Sequence, residues 1–262
     1  MSSRNSILAG VALTLFLSGC ANQAGVKEGG DGAIATEIRS TDRLAEINTQ
    51  LGVEYMKEGK YETALKKLEK AVEIDGNYAR AYDVLGLLYA RLGENVNAEQ
   101  NFKRALQLAP NDSSILNNYG QFLCRNGSAA EGQAMFAKAV ENPLYQTPQN
   151  SYTNAAICAL EQQKDKAAAQ EFLRKALEKD PEMPIALLRM SQVTYESDNY
   201  MAAKGYFERY KQVASHTPES LFLGVQIEQK LGDSEAADNY AMLLRDKFPD
   251  SQEAHQLMKS EQ

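Results

Sequence analysis

The chain has 262 residues, of which 44% are apolar, and it carries a formal net charge of −7. Its length allows a sizeable core, while the acidic balance argues against a nucleic-acid-binding protein, because phosphates require clustered Lys and Arg. We interpret the charge as that of a solvated helical surface.

The N-terminal residues are typical of a secretion signal. Arg4 gives a positive start, and an apolar run extends from Ile7 to Leu17. Such a run is too short to anchor the chain as a membrane span, but it has the length of a signal-peptide core.

The signal ends in Leu17-Ser18-Gly19-Cys20, which resembles a bacterial lipobox. This resemblance implies that residues 1–19 are removed and that Cys20 is lipidated as the first mature residue. Because Ala21 rather than an aspartate follows, the resemblance to lipoprotein sorting further implies the periplasmic face of the outer membrane. The alternative is an ordinary signal peptide with an incidental cysteine.

Residues 20–40 are rich in glycine and small polar residues and show no hydrophobic period. We predict a flexible tether there, with a reach of roughly 25–30 Å. Thr41 or Asp42 is predicted to cap the first helix, whose apolar period begins near Leu44. The tether would hold a folded domain, residues 41–262, close to a membrane surface.

From residue 45 onward, one pattern of small and large residues recurs every 34 residues. In residues 79–112 its positions 7, 8, 11, 20, 24, 27 and 32 are held by Leu85, Gly86, Tyr89, Ala98, Phe102, Ala105 and Pro110. The small residues let two antiparallel helices approach, the large ones fill the space beside them, and the proline ends the second helix. The spacing resembles the tetratricopeptide repeat.

This resemblance implies an all-α fold, a right-handed superhelical solenoid of six helix-turn-helix repeats. The repeats are predicted at residues 45–78, 79–112, 113–146, 150–183, 184–217 and 218–251. The fourth departs from the pattern at Ile157, and it follows a longer connection that contains Pro143 and Pro148. A short helix over Gln252–Met258 is predicted to cover the end of the solenoid.

Candidate binding residues follow from the same resemblance, because positions 2, 5, 9, 12 and 13 of tetratricopeptide repeats usually line a concave groove. In repeats one and two they combine apolar side chains with bordering cations, which suits an amphipathic helix or a short apolar segment with acidic flanks. In repeats three and four they are amides and a guanidinium able to bond a peptide backbone. The candidates are Val53, Met56, Lys57, Arg80, Leu87, Ala90, Arg91, Asn117, Gln121, Arg125 and Asn154.

Two alternatives remain open for these candidates. The first group would instead pack against residues 33–44 or a neighbouring helix, and the second group would be no more than a solvated wall.

Cys124 and Cys158 lie 34 residues apart, on the first helices of adjacent repeats. Adjacent first helices approach closely enough for the required Cα separation of about 4.4–6.8 Å, and an oxidising periplasm permits the bond. We therefore predict a disulfide, the alternative being two buried thiols.

The sequence contains no phosphate-binding glycine loop, no zinc-ligand pair on a helix and no nucleophile elbow. His216 and His255 fall near helix ends in different repeats, and we interpret them as surface residues. We expect no enzymatic activity, no cofactor, no metal and no small-molecule substrate.

Two further runs are more specific than the repeat pattern. The first is Asn117-Asn118-Tyr119-Gly120-Gln121-Phe122-Leu123-Cys124, and the second is Asn142-Pro143-Leu144-Tyr145, followed by Asn154-Ala155-Ala156-Ile157-Cys158. With the lipobox and the six repeats, they resemble the type IV pilus biogenesis and stability lipoproteins, the PilF/PilW pilotin family.

The family resemblance implies an outer-membrane lipoprotein that binds the pilus secretin and promotes its localisation and multimerisation in the outer membrane. The alternative function is a lipoprotein scaffold for other envelope machinery, namely cell-wall hydrolases or outer-membrane protein assembly.

Overall fold

The structure, a computed structural model, describes the backbone of residues 31–260 and the side chains of residues 43–259. The predicted signal peptide, the lipidation site Cys20 and the beginning of the predicted tether lie outside the described residues. Within residues 31–260 the chain forms thirteen α-helices and one π-helical turn, with no strand. Residues 40–262 belong to one compact unit.

The helices follow each other in pairs, one pair in each predicted repeat. The pairs are α1 (Asp31–Lys57) and α2 (Tyr61–Ile74), α3 (Ala79–Arg91) and α4 (Asn95–Leu108), α5 (Ser113–Arg125) and α6 (Ala129–Glu141), α7 (Pro148–Cys158) and α8 (Lys166–Lys179), α9 (Pro184–Tyr195) and α10 (Tyr200–Val213), and α11 (Pro218–Leu231) and α12 (Ser234–Lys247). A last single helix is α13 (Gln252–Ser260).

The first helix begins earlier than the sequence led us to expect. It starts at Asp31 rather than after a cap near Leu44, so the prediction of a flexible tether is wrong for residues 31–40. Ala33 and Ala35 are strong helix formers, and no proline interrupts the stretch.

The interior of each pair is packed as the spacing predicts. Position 24 carries a large buried side chain in five of the repeats, namely Leu68, Phe102, Phe136, Leu173 and Phe207. The helices of a pair approach so closely that a Cβ atom built on Gly86 would lie 2.8 Å from the Phe102 ring. Small residues at positions 8 and 20 therefore set the distance between the two helices.

Every first helix is followed by a residue with positive φ at position 15 of its repeat. Four of these residues are glycines with φ between 74 and 86°, namely Gly59, Gly93, Gly127 and Gly232. The other two are Lys164 (φ 57°) and Asp198 (φ 59°). This left-handed residue reverses the chain and lets the next amide bond back to the helix, as Lys60 N–H does to the Tyr55 carbonyl at 2.9 Å.

The fourth repeat differs from its neighbours at both ends of its first helix. The preceding connection spans residues 142–147, longer than the equivalent residues 75–78, as we predicted. Pro148 does not interrupt α7 but is its first residue. At this position a backbone N–H would have no partner within the helix, so its absence in proline costs no hydrogen bond. At its other end, α7 passes into the π-helical turn Ala159–Gln163.

The last helix closes the apolar interior of the sixth repeat. Ala254 and Leu257 of α13 are buried against Leu221 and Val225 of α11 and Leu244 of α12. Among the described residues, no helix combines the length and the apolar character that crossing a membrane requires.

Candidate binding groove

Four depressions follow one another along the first helices of repeats two to six. Their volumes are about 460, 260, 330 and 360 Å³ in chain order. Each shares lining residues with the next: Arg125 lines the first and second, Arg189 the second and third, and Glu196 the third and fourth. We call this continuous surface, from Met56 to Gln256, the first-helix groove.

The first depression lies between α3 and α5 and has an apolar floor with a cationic rim. Six predicted residues meet in it, namely Met56, Leu87, Ala90, Arg91, Gln121 and Arg125. Phe102 and Phe122 extend the floor, and no acidic residue lines it. Neither arginine forms a salt bridge with any part of residues 43–259. Such a site suits an apolar side chain flanked by carboxylates.

The other three predicted residues of repeats one and two do not line the groove. Val53 is half-buried and packs against an apolar cluster of the first three helices that includes Met56, Leu68 and Leu88. Lys57 is exposed and pairs with Glu54 at 2.8 Å on the same helix. Arg80 is exposed on α3, outside the four depressions. For Val53, the packing alternative that the sequence left open describes the structure.

The predicted amides of repeats three and four bond mainly to one another. Asn117 Oδ1 accepts hydrogen bonds from Ser151 Oγ and Asn154 Nδ2, each at 3.0 Å. Gln121 Nε2 donates to Asn154 Oδ1 at 3.2 Å. These bonds join α5 to α7 and engage Asn117 and Asn154, while the side-chain oxygen of Gln121 accepts no hydrogen bond within residues 43–259.

A buried carboxyl group lies behind the first depression. Asp83 is 2% exposed, and Asn118 Nδ2 donates to its two carboxylate oxygens at 3.1 and 3.0 Å. Burial raises the pKa of Asp83 to about 7, although the Asn118 hydrogen bond acts in the opposite direction. The bond ties α3 to α5.

The fourth depression, between α9, α11 and α13, was not among the predicted sites. Leu188, Tyr195, Phe222 and Leu223 form its apolar floor, and its charged lining residues are Arg189, Glu196, Glu219 and Glu253. Positions 5 and 12 of repeats five and six already select Leu188, Phe222 and Tyr195, so the same positional rule would have found this floor. Glu253 belongs to α13, outside the repeats, and no repeat position selects it.

Cys124 and Cys158 both line the second depression and are buried. The structure joins them in a disulfide with the Cα atoms 5.8 Å apart, which links α5 to α7 beside the amide bonds. The oxidation state of this pair in the cell stays a prediction.

Comparison with known proteins defines first a class and then a family. The tetratricopeptide repeat pattern matches residues 52–93, 79–112, 101–134 and 149–183. With the helix pairs and their groove, these matches define a tetratricopeptide-repeat protein. A crystal structure of PilW, described as a widely conserved type IV pilus biogenesis factor, is 32% identical, with a TM-score of 0.75 over 82% of this chain and 98% of that one. The chain therefore belongs to the PilF/PilW family of tetratricopeptide-repeat proteins.

Two further relatives agree with this assignment. The structure of PilF from Pseudomonas aeruginosa is 27% identical and has a TM-score of 0.76, covering 84% of this chain and 99% of that chain. The curated type IV pilus assembly protein PilF of the same species is 28% identical over 241 residues, which is 92% of this chain and 93% of the relative. The chain is thus homologous to type IV pilus biogenesis factors along nearly its whole length.

Proposed function

We propose that the protein is an outer-membrane lipoprotein that acts as a pilotin. In this role it binds the type IV pilus secretin in the first-helix groove and promotes the localisation and multimerisation of the secretin in the outer membrane. It is a scaffold rather than an enzyme. The observation that carries the proposal is the first depression, where an apolar floor around Leu87 is bordered by Arg91 and Arg125, which form no salt bridge within residues 43–259.

The proposed mechanism begins with an apolar segment of a secretin subunit lodged on this floor. Burying its side chains removes apolar surface from water at about 25 cal/mol per Å², and it also hides that surface from other subunits before assembly. The lipid at Cys20 would carry the complex to the outer membrane. The homology to pilus biogenesis factors and the lipobox sequence support this proposal.

The proposal is tested by affinity capture of the secretin from detergent-solubilised membranes. The variant Leu87→Asp places a charge on the apolar floor, and we expect it to lose the secretin because burying an unpaired carboxylate is unfavourable. The matched control is Val96→Asp, since Val96 is 71% exposed at the start of α4 and lies outside the groove. It makes the same chemical change and should retain the secretin.

Circular dichroism of both variants checks that their helical content is unchanged. Secretin captured equally well by Leu87→Asp and wild type would contradict binding at the first depression. A cell-wall hydrolase captured in place of the secretin would favour the alternative scaffold function. In a strain without the protein, we expect monomeric secretin and no twitching motility.

A further inference from the structure

The charges that line the first-helix groove change sign from one end to the other. In the first depression the only charged lining residues are Arg91 and Arg125. In the fourth, Glu196, Glu219 and Glu253 outnumber Arg189. Glu196 lies 3.4 Å from Lys166, whereas Glu219 and Glu253 have no salt bridge within residues 43–259. The groove is therefore positive at repeats two and three and negative at repeats five and six.

Both ends of the groove offer an apolar floor, so both are able to hold a side chain of one partner. Leu87 and Phe122 lie at the positive end, and Tyr195 and Phe222 lie at the negative end. The two floors lie between α3 and α5 and between α9 and α11, so three spacings between neighbouring first helices separate them. At about 9 Å per spacing this is ~27 Å, the length of about eight residues of extended chain.

Amide groups along the groove favour an extended partner over a helical one. Gln121 keeps a carbonyl oxygen free, and Gln226 and Gln256 line the negative end without a hydrogen bond to residues 43–259. An extended segment presents free backbone N–H and C=O groups to such amides, whereas a helix has used its own.

We propose that the groove binds an extended, charge-polarised segment of about ten residues in a single orientation. The segment carries acidic residues beside an apolar side chain in the first depression and basic residues beside another in the fourth. This inference rests on the proposed function, because it specifies the chemistry of the partner segment that the groove holds. Complementary charges at the two ends exclude the reversed orientation, in which like charges would meet.

The test uses fluorescently labelled synthetic peptides and purified protein. Two dipolar peptides carry a leucine near each end, a polar spacer, and acidic and basic ends in the two possible chain orders. Two control peptides keep the leucines but have two acidic or two basic ends. At an ionic strength of about 10 mM, where screening is weak, we expect one dipolar order to bind at least about tenfold more tightly than the other three peptides.

Charge reversal in the protein identifies the contacts. We expect Arg91→Glu with Arg125→Glu, or Glu219→Lys with Glu253→Lys, to weaken the preferred dipolar peptide by about tenfold. All four changes together should transfer the preference to the opposite dipolar order. The control for net charge is Lys66→Glu with Lys103→Glu, two exposed residues on second helices, which should leave the binding unchanged.

The outcomes separate this inference from the proposed function. In one outcome, Leu87→Asp abolishes peptide binding while the four charge reversals together leave it unaltered. That result would overturn the charge polarity but would still support the groove as the binding site. The absence of binding by either dipolar peptide would overturn the extended, polarised segment. Failure of the wild-type protein to capture the secretin would overturn the proposed function itself, whatever the peptides do.

Discussion

Among the glycines of the described residues, Gly132 leaves the least space for a Cβ atom, and this can be tested by a single methyl group. A Cβ atom built on Gly132 would lie 2.8 Å from the carbonyl oxygen of Gly120 and 3.2 Å from the backbone nitrogen of Cys124, and closer still to Cys124 Sγ. Two of these neighbours are backbone atoms of α5, which cannot rotate away. Gly132→Ala must therefore push α6 away from α5.

Two opposing contributions set the size of the effect. Replacing glycine by alanine within a helix raises the stability by about 1 kcal/mol. This gain is the whole effect where the added methyl group contacts no other atom. Gly205 in α10 is such a place, because no atom lies within 4 Å of its built Cβ. Overpacking against fixed atoms costs about 1–3 kcal/mol, so we expect a net loss of about 1 kcal/mol for Gly132→Ala. Gly205→Ala should gain about 0.5–1 kcal/mol.

Denaturant unfolding followed by far-ultraviolet circular dichroism measures both changes. The unfolding midpoint of Gly132→Ala should fall below that of wild type, and the midpoint of Gly205→Ala should rise above it. Equal gains in both variants would show that α5 and α6 are not held apart by the distance at Gly132, and would refute the packing argument for the small residues of the repeat.

Two further predictions concern buried groups that join neighbouring first helices. The pKa of Asp83 is about 7 in the folded protein, and the reference value for the unfolded protein is 3.8. Between these pH values the folded protein therefore binds more protons than the unfolded protein does. The free energy of unfolding should then fall by about 4 kcal/mol as the pH rises from about 4 to about 7, and unfolding of Asp83→Asn at several pH values should lack this slope. Reducing the disulfide between Cys124 and Cys158, or introducing Cys158→Ala, should lower the free energy of unfolding by about 4 kcal/mol, given the separation of 34 residues. Equal thiol titres of the unfolded protein before and after reduction would contradict the bond.

The helix pairs could be predicted from sequence because their packing is local. In repeats one, two, three and five the pair is held by small residues at positions 8 and 20 and a large one at position 24, and all of these lie within one repeat. Gly86 lies on α3 and Phe102 lies sixteen residues later on α4. The spacing within one repeat is therefore enough to bring the two residues together. The floor of the first depression followed from positions 9 and 12 of the repeats, which place Met56, Leu87 and Ala90 on the groove side.

The polar contacts of the groove could not be predicted in this way, because each depends on a partner in another repeat. Asp83 occupies position 5 of its repeat, which the positional rule assigns to the groove, and only the position of Asn118 on the adjacent helix explains how a buried carboxyl is accommodated there. Asn117 and Asn154 were predicted to bond a partner, but they face each other across α5 and α7. The spacing of residues identifies the face of the helix on which a side chain lies, but it does not identify the neighbouring group that forms a hydrogen bond with that side chain.

The polar contacts that join one first helix directly to the next lie under the positive end of the groove, whereas repeats five and six are joined through α10, where Lys204 Nζ lies 2.7 Å from the buried Glu228 of α11. Asn118 ties α5 to α3 through Asp83, and the amide bonds together with the disulfide tie α5 to α7. Within residues 43–259, no side-chain hydrogen bond directly joins α9 to α11 under the negative end.

A binding surface that is already rigid loses less conformational freedom when a partner binds, so more of the contact energy appears as affinity. On the proposed function, this argument applies to the positive end, where the first helices are tied directly to one another. The negative end, with its exposed carboxylates, contributes more to the orientation of the segment than to the strength with which it is held.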